Sequence, residues 1–479
     1  MNLYEELTEY GHKDIYPYHM PGHKRKEQSF LPEKTALIDL TEVQGTDNLH
    51  APTGILKDAQ EYCAEVTGAD HSYFLINGST AGVISAIFAA VSEDGKLIIV
   101  RNAHKSAYHG MALRNAIPAY IYPETEKKWG FCKAVTPDEI GKAMEENPDA
   151  EAVFIVSPTY EGCLCKVEEI AKIAHLRGIP LIVDEAHGAH LPYLGGKYSA
   201  CRAGADIVIQ STHKTLPAPT QTALLHVNGS LVKKDRIERY LRVFQSSSPS
   251  YPLMAGIDGA VRLMAARGGE LLETLENNYA GLVSKINNEL KYISAYPFRK
   301  GINDAGKLLL SASDGNNIFM TGTELSEILR NEYGAETEMS SERSVLAMFT
   351  VSDDREAYKR LFDALTKIDE TLRKKAESGC TGTVITEYDD IPRPKIALPP
   401  GSAWKTESEE IPVEESVGRI SGEIVGLYPP GTPLLAMGEI IEREHVKLIK
   451  RYIGEKLEVS GIKDGMISVL KGEGLLKHI

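Results

Sequence analysis

The chain predicts an α/β fold built on a mostly parallel sheet with helices on both faces. Two observations carry this prediction. Continuously apolar runs, such as Lys96-Leu-Ile-Ile-Val100 and Pro180-Leu-Ile-Val-Asp184, alternate with segments of helical periodicity. Most of these runs also end abruptly in polar residues. In open sheets of this kind, ligands sit beyond the carboxyl ends of the strands.

A short amphipathic helix opens the chain with Leu3, Leu7 and Tyr10 on one face. Polar, His- and Gly-Pro-rich loops follow, Tyr18-His-Met-Pro-Gly-His-Lys24 and then Glu42 to His50 and Ala51-Pro-Thr-Gly54. They are too polar for core and read either as an arm packed on another subunit or as part of a site. Ile55 to Val66 is helical. Ser72 to Ile76 is the first strand, followed by Asn77-Gly-Ser-Thr80 and an apolar helix, Ala81 to Val91. Further strands are expected at 96–100, 116–122, 152–157, 180–184, 206–210 and 223–227, seven in all. A helix from Val167 stops near Gly178, a normal left-handed cap. Gly268-Gly269 precedes a helical pattern from Leu271 to Tyr292. Residues 294–375 alternate short strands and helices, as in a small α+β domain, and Pro392 to Pro400 reads as a linker or an extended surface segment.

With 479 residues the chain exceeds one typical core, so two or three domains are expected. A formal charge of −14 argues against nucleic acid and anionic membranes as partners. No apolar run is long enough for a transmembrane helix, and the first residues lack signal-peptide character. Six scattered cysteines include Cys163-x-Cys165, neither a zinc pair nor a redox C-x-x-C, so reduced thiols, a cytoplasmic location and no metal are expected.

The expected strand ends carry Gly78-Ser79-Thr80, His104, Ser157 with Thr159, Asp184 with His187, and Ser211, His213 and Lys214. Each has a plain structural reading. Ser79 or Thr80 can simply cap a helix, and Lys214 can sit where a strand turns into solvent. Together they offer hydroxyls at a helix N-terminus suited to an anion, an imidazole able to stack, a carboxylate and a lysine. No P-loop or dinucleotide glycine fingerprint is present, which leaves another phosphorylated cofactor. Pyridoxal phosphate needs a lysine to bind it covalently, a carboxylate at its ring nitrogen, a flat group on its ring and a phosphate cup. The order cup, stacker, carboxylate, lysine resembles that of a fold-type-I pyridoxal phosphate enzyme.

The sequence also resembles the Orn/Lys/Arg decarboxylase family, in its short form without an N-terminal wing domain. The resemblance rests on Pro21-Gly-His-Lys24, Asp47-Asn-Leu-His50, Asn77-Gly-Ser-Thr80, Arg101-Asn-Ala-His-Lys-Ser106 and Pro158-Thr-Tyr-Glu-Gly162. It continues through Asp184-Glu-Ala-His187, Ser211-Thr-His-Lys214, Ser247-Ser-Pro-Ser-Tyr251, Gly418-Arg-Ile and Tyr428-Pro-Pro-Gly-Thr-Pro433. It implies that Lys214 carries the cofactor, Asp184 pairs with the pyridine nitrogen, His104 stacks on one ring face and Ala186 packs on the other. His187 would lie near the ring hydroxyl. Gly78, Ser79, Thr80, Ser211 and His213 would hold the phosphate, and Ser247 would reach the phosphate of a neighbouring subunit in a homodimer or larger assembly. Lys214 or His213 would return a proton to the substrate. Two departures stand out. Met437 replaces a frequent Pro before Gly438-Glu439, and His187 stands where some members have Trp; both are expected to tune the site.

The implied organisation is an N-terminal arm (1–50), a cofactor-binding large domain (51–285), a small α+β domain (286–390) and a C-terminal decarboxylase segment (391–479). The implied reaction is decarboxylation of a basic amino acid, arginine to agmatine first, then lysine to cadaverine or ornithine to putrescine, in polyamine synthesis or acid resistance, with the short form favouring the biosynthetic role. Such a substrate needs a carboxylate for its distal cation; Glu415 and Glu423 are the first candidates, Asp47 and Glu161 the next. The competing readings are another fold-type-I activity, an aminotransferase or carbon–sulfur lyase, and a catalytically inactive paralogue with a regulatory role.

Overall fold

The computed structural model describes residues 2–13, 20–21, 23–24, 32–195, 198–379, 381–385, 392–427, 432–455 and 457–472. Tyr18, His19, Gly22 and residues 428–431 of the motifs above lie outside them. The chain forms two compact units. The first comprises Met1–Ser92, Asp149–Ser157 and Lys166–Leu272, and the second Glu93–Pro148, Pro158–Cys165 and Glu273–Ile479.

The elements that matter for function are α1 (Leu3–Gly11), α2 (Ile55–Thr67), β1 (His71–Leu75), α3 (Gly78–Ala90), β2 (Lys96–Val100), α4 (Lys105–Arg114) and β3 (Ile117–Ile121). Then come β4 (Ala150–Val156), α5 (Val167–His175), β5 (Leu181–Asp184), β6 (Ile207–Gln210), β7 (Ala223–Val227), α6 (Lys234–Phe244) and α7 (Tyr251–Glu289). The seven strands make one mixed sheet in the order β1-β7-β6-β5-β4-β2-β3. Pairs β4–β5, β5–β6 and β2–β3 are parallel, whereas β7 runs antiparallel to both β6 and β1. Every residue of β5, β6 and β7 is buried, as expected of strands covered on both faces.

Helix α1 shows why the N-terminus folds with this unit. Asn2 and Glu5 form a capping box, and Leu3, Leu7 and Tyr10 fall on one buried face. That face joins a core with Leu56, Cys63, Phe74 and Tyr251. Each such aliphatic side chain contributes roughly 1.5–3 kcal/mol by leaving water. The stretch from Glu42 to His50 departs from expectation. It is not wholly outside the core, because Asp47 and Leu49 are both buried. Asp47 is tolerated there because its carboxylate accepts from the backbone N–H groups of Asn48, Thr53, Gly54 and Leu56, the last two opening α2. Those bonds hold its pKa down against the upward push of burial.

A second departure concerns α7, which begins at Tyr251 rather than Leu271 and runs straight through Gly268 and Gly269. Gly268 is a close-approach point, not a break. A Cβ there would lie 2.9 Å from Cβ of Tyr193.

In the second unit, β8 (Ser294–Ala295), β9 (Lys307–Ser311), β10 (Met339–Ser340) and β11 (Val345–Met348) form an antiparallel sheet in the order β8-β9-β11-β10. The C-terminal part contains α8 (Pro400–Lys405) and α9 (Arg443–Gly454) around a core of Val425, Leu435, Ile441, Ile449 and Val469. The expected linker at Pro392 to Pro400 is instead stitched down in its described part. Ala397 and Leu398 donate to the Gly438 carbonyl, Ile440 donates to Lys395, and Leu398 is buried. Gly438 has φ +87°, and a Cβ there would strike the Leu398 carbonyl, so glycine is required. None of the five described cysteines forms a disulfide. Among the described residues, no helix is long and apolar enough to cross a membrane, and no cluster of three or more His, Cys, Asp or Glu side chains suits a metal.

Candidate active site

Parallel register brings the first unit's polar strand ends level. Asp184 pairs with Val156 on one side and Ile209 on the other. Ser157 N donates to the Asp184 carbonyl (3.1 Å), and Ser211 N to the Ala186 carbonyl (3.3 Å). A single helical turn, Thr212–Thr215, then lifts His213 and Lys214 off β6. Lys214 Nζ donates to His187 Nε2 at 3.1 Å, which places the His187 proton on Nδ1. Asp184 is buried and accepts from Ala186 N at 3.1 Å. Burial raises its pKa, and the nearby Lys214 ammonium opposes that shift.

The hydroxyl turn closes the arrangement. Gly78 takes φ +72° and starts α3, and the Ser79 and Ser211 hydroxyls are hydrogen-bonded to each other. Their joint position at a helix N-terminus suits an anion. Thr80 is exposed in the same turn. Ser247 is exposed too, and its neighbour Ser246 donates its N–H to Asn77 Oδ1 at 3.3 Å, so the serine run lies beside this chain's own hydroxyl turn. His213 Nδ1 donates to the Thr222 carbonyl at 2.8 Å. Burial lowers its pKa and the Lys214 charge pushes the same way, while the bond to the Thr222 carbonyl opposes the shift.

The remaining expected residues lie in the second unit, apart from Asp47. His104 is the N-cap of α4, its Nδ1 accepting from Ser106 N at 3.2 Å. Glu161 lines a cavity of about 130 Å³ walled by Trp129, Phe131, Tyr160 and Tyr452. Glu415 is exposed at the end of a 3-10 turn, and Glu423 is exposed too. The Asp47 carboxylate is taken up by the backbone bonds described above.

Behind Asp184 and Ser211 lies a buried chain that sequence reasoning missed. Gln210 Nε2 donates to Glu185 Oε2 (2.6 Å), His226 Nε2 donates to Gln210 Oε1 (3.0 Å), and Ser72 Oγ donates to His226 Nδ1 (2.7 Å). Ala200 N donates to Glu185 Oε1 at 3.1 Å. The available signal was three polar residues inside strands that otherwise read as core, since such groups demand partners. Burial pushes the Glu185 carboxyl up to about 8 and the His226 imidazole down to about 3, so both are neutral at pH 7. A neutral Glu185 has a measurable consequence. Its folded pKa lies above the unfolded value, so its contribution to stability is intact below about pH 4.5 and is lost as pH rises through about 8. The loss is on the order of 4–5 kcal/mol. Glu185→Gln is therefore expected to gain stability relative to the parent as pH rises from 5 to 8. Urea unfolding across that range checks it; a difference independent of pH contradicts it.

The sheet, the lysine-bearing strand end and the hydroxyl turn define a fold-type-I pyridoxal-phosphate-enzyme architecture, and solved structures bear this out. The chain superposes on a Francisella novicida lysine decarboxylase with a TM-score of 0.83 at 19% identity, covering 98% of this chain and 81% of that one. The Escherichia coli constitutive lysine decarboxylase gives 0.80 at 21% identity, with 98% and 82% covered. In sequence, the chain is 32% identical to an arginine decarboxylase of Bacillus subtilis over 98% of this chain and 97% of the relative. The Orn/Lys/Arg decarboxylase major domain matches residues 1–288 and that family's C-terminal domain matches 390–460. The chain belongs to the Orn/Lys/Arg decarboxylase family and is an amino-acid decarboxylase.

Proposed function

We propose that the protein decarboxylates arginine in preference to lysine and ornithine, with pyridoxal phosphate as cofactor. The observation that carries this reading is Lys214, held beside buried Asp184 and one turn from the paired Ser79 and Ser211 hydroxyls. The donor set fits the cofactor: an amine to bind it, a carboxylate for its ring nitrogen, and hydroxyls at the N-terminus of α3 for its phosphate. Gly78, Thr80 and His213 would complete the phosphate seat, Ala186 and His104 would flank the ring, and His187 would meet its hydroxyl. When bound, the cofactor supplies an electron-withdrawing ring that takes up the electron pair left as carbon dioxide departs.

The chain's own residues do the rest. Asp184, whose burial raises its pKa against the opposing Lys214 charge, would hold the ring nitrogen's proton. Lys214 Nζ or His213 would return a proton to the substrate's α carbon. Arginine leads because relatives in Bacillus subtilis, Bacillus anthracis and Halalkalibacterium halodurans bear the name arginine decarboxylase. We further place the enzyme in the cytoplasm, in polyamine synthesis, as a homodimer or larger assembly in which exposed Ser247 reaches a neighbouring subunit's phosphate seat.

For the distal cation we favour Glu161 over Glu415, Glu423 and Asp47. It lines an aromatic-walled cavity, which suits a guanidinium through both charge and cation–π attraction. Burial raises its pKa, opposed by a backbone N–H, the Thr159 hydroxyl and the Lys307 charge. The test is carbon dioxide release from arginine, lysine and ornithine offered separately, with each amine identified by mass. Arginine is expected to lead. Glu161→Gln is expected to lower kcat/KM for it by about 10–150-fold, the worth of a charged hydrogen bond of about 1.5–3 kcal/mol. Release from none of the three sinks the substrate class; an unchanged kcat/KM removes Glu161 from the site.

A further inference from the structure

Three residues before His104 lies an ion pair with no obvious duty. Arg101 and Glu439 are 3% and 1% exposed. Arg101 Nη1 donates to Glu439 Oε1 at 2.6 Å and Nη2 to Oε2 at 2.9 Å, a two-pronged match; Nη2 also donates to the Leu434 carbonyl at 3.0 Å. Ala436 N donates to Glu439 Oε2 at 2.6 Å. The guanidinium sits over the Tyr120 ring, 4.7 Å from its centre, with Tyr108 and Tyr122 at 5.6 and 5.9 Å. Burying two charges this completely brings little net stability over well-packed apolar residues. What it does bring is orientation, because a planar fork meets a carboxylate in one plane only.

The backbone of Arg101 is fixed as firmly. Its N–H donates to the Ile121 carbonyl at 2.7 Å, and the Tyr108 hydroxyl, from within α4, donates to the Arg101 carbonyl at 2.7 Å. The other end of α4 is gripped by the same C-terminal part. A Cβ on Gly401, in α8, would lie 2.3 Å from Asn115 Oδ1 and 2.6 Å from the Ala112 carbonyl, so the contact exists only with glycine there. The segment matching the family's C-terminal domain thus holds the helix that His104 opens at both ends.

We propose that Arg101 and Glu439 are positioning residues, and that the C-terminal domain uses this pair to set the backbone that presents the His104 ring. The proposal rests on the reading of His104 as the group against the cofactor ring. Glu439→Gln alone would strand a buried cation, so the test is the neutral pair Arg101→Met with Glu439→Gln. Its thermal midpoint is expected to stay within a few degrees of the parent. Its kcat is expected to fall at least tenfold with little change in KM, as in His104→Ala measured alongside. Amide exchange over residues 102–106 is expected to speed up at least tenfold in the paired variant. Arg101→Lys, which keeps the charge but loses the fork, is expected to share both effects. Unchanged exchange over 102–106 overturns the proposal, as does full kcat in the paired variant when His104→Ala is impaired. If His104→Ala is itself fully active, the reading of His104 falls, and exchange alone decides whether the pair sets that backbone.

Discussion

Lys214→Ala is expected to abolish decarboxylation, by more than about 10³-fold, in a protein that still folds. Lys214 is half-buried at the end of a single helical turn, and removing such a side chain usually changes stability by no more than about 1 kcal/mol. The Ser79–Ser211 hydroxyl pair, the β5–β6 register and the buried chain behind them do not depend on it. The variant should therefore keep the parent's circular dichroism while losing the visible absorbance of lysine-bound cofactor. It also removes the positive neighbour that opposes the upward shift of the Asp184 pKa. Carbon dioxide release near the parental rate would refute the assignment of Lys214 outright.

Asp184→Asn is expected to lower kcat by about 10²–10³-fold, equivalent to about 3–4 kcal/mol of lost electrostatic stabilisation. The amide keeps the shape of the carboxylate, and its oxygen can still accept from Ala186 N. What it loses is the negative charge that would stabilise a protonated ring nitrogen. Because Lys214 and the hydroxyls remain, cofactor should still be retained, and KM should change far less than kcat. Steady-state kinetics with a cofactor-content assay separate the two effects. A rate within twofold of the parent would show that the charge at Asp184 has no part in the chemistry.

The main line of this fold was legible because the central strands bury both faces. Runs such as Leu181–Asp184 and Ile207–Gln210 must then be continuously apolar, and their polar ends stand out. The strand-end positions of Lys214, Asp184 and Ser79 were readable for the same reason. What escaped sequence reasoning depends on distance along the chain. Arg101 meets Glu439 across 338 positions, and nothing local to either residue marks the other. Gln210 and His226 lie inside strands, and their partners, Glu185 and Ser72, stand 25 and 154 positions away. Gly268 and Gly269 read as lying just ahead of a helix because glycine disfavours helices. The close passage of Tyr193 gives Gly268 a different purpose.

β1 lies at the edge and pairs with β7, His71 opposite Val227 and Leu75 opposite Ala223. At about 5–20 residues per second, a ribosome needs on the order of 10–30 s to reach the partner strand after making β1. Throughout that interval Phe74 and Leu75, both fully buried in the finished protein, have no strand to lie against. Ser79, made soon after, likewise waits for Ser211. Long-range pairing of this kind folds slowly. A nascent chain therefore carries an open, sticky edge until residue 227 has emerged, and the phosphate seat is a late product of translation rather than an early one.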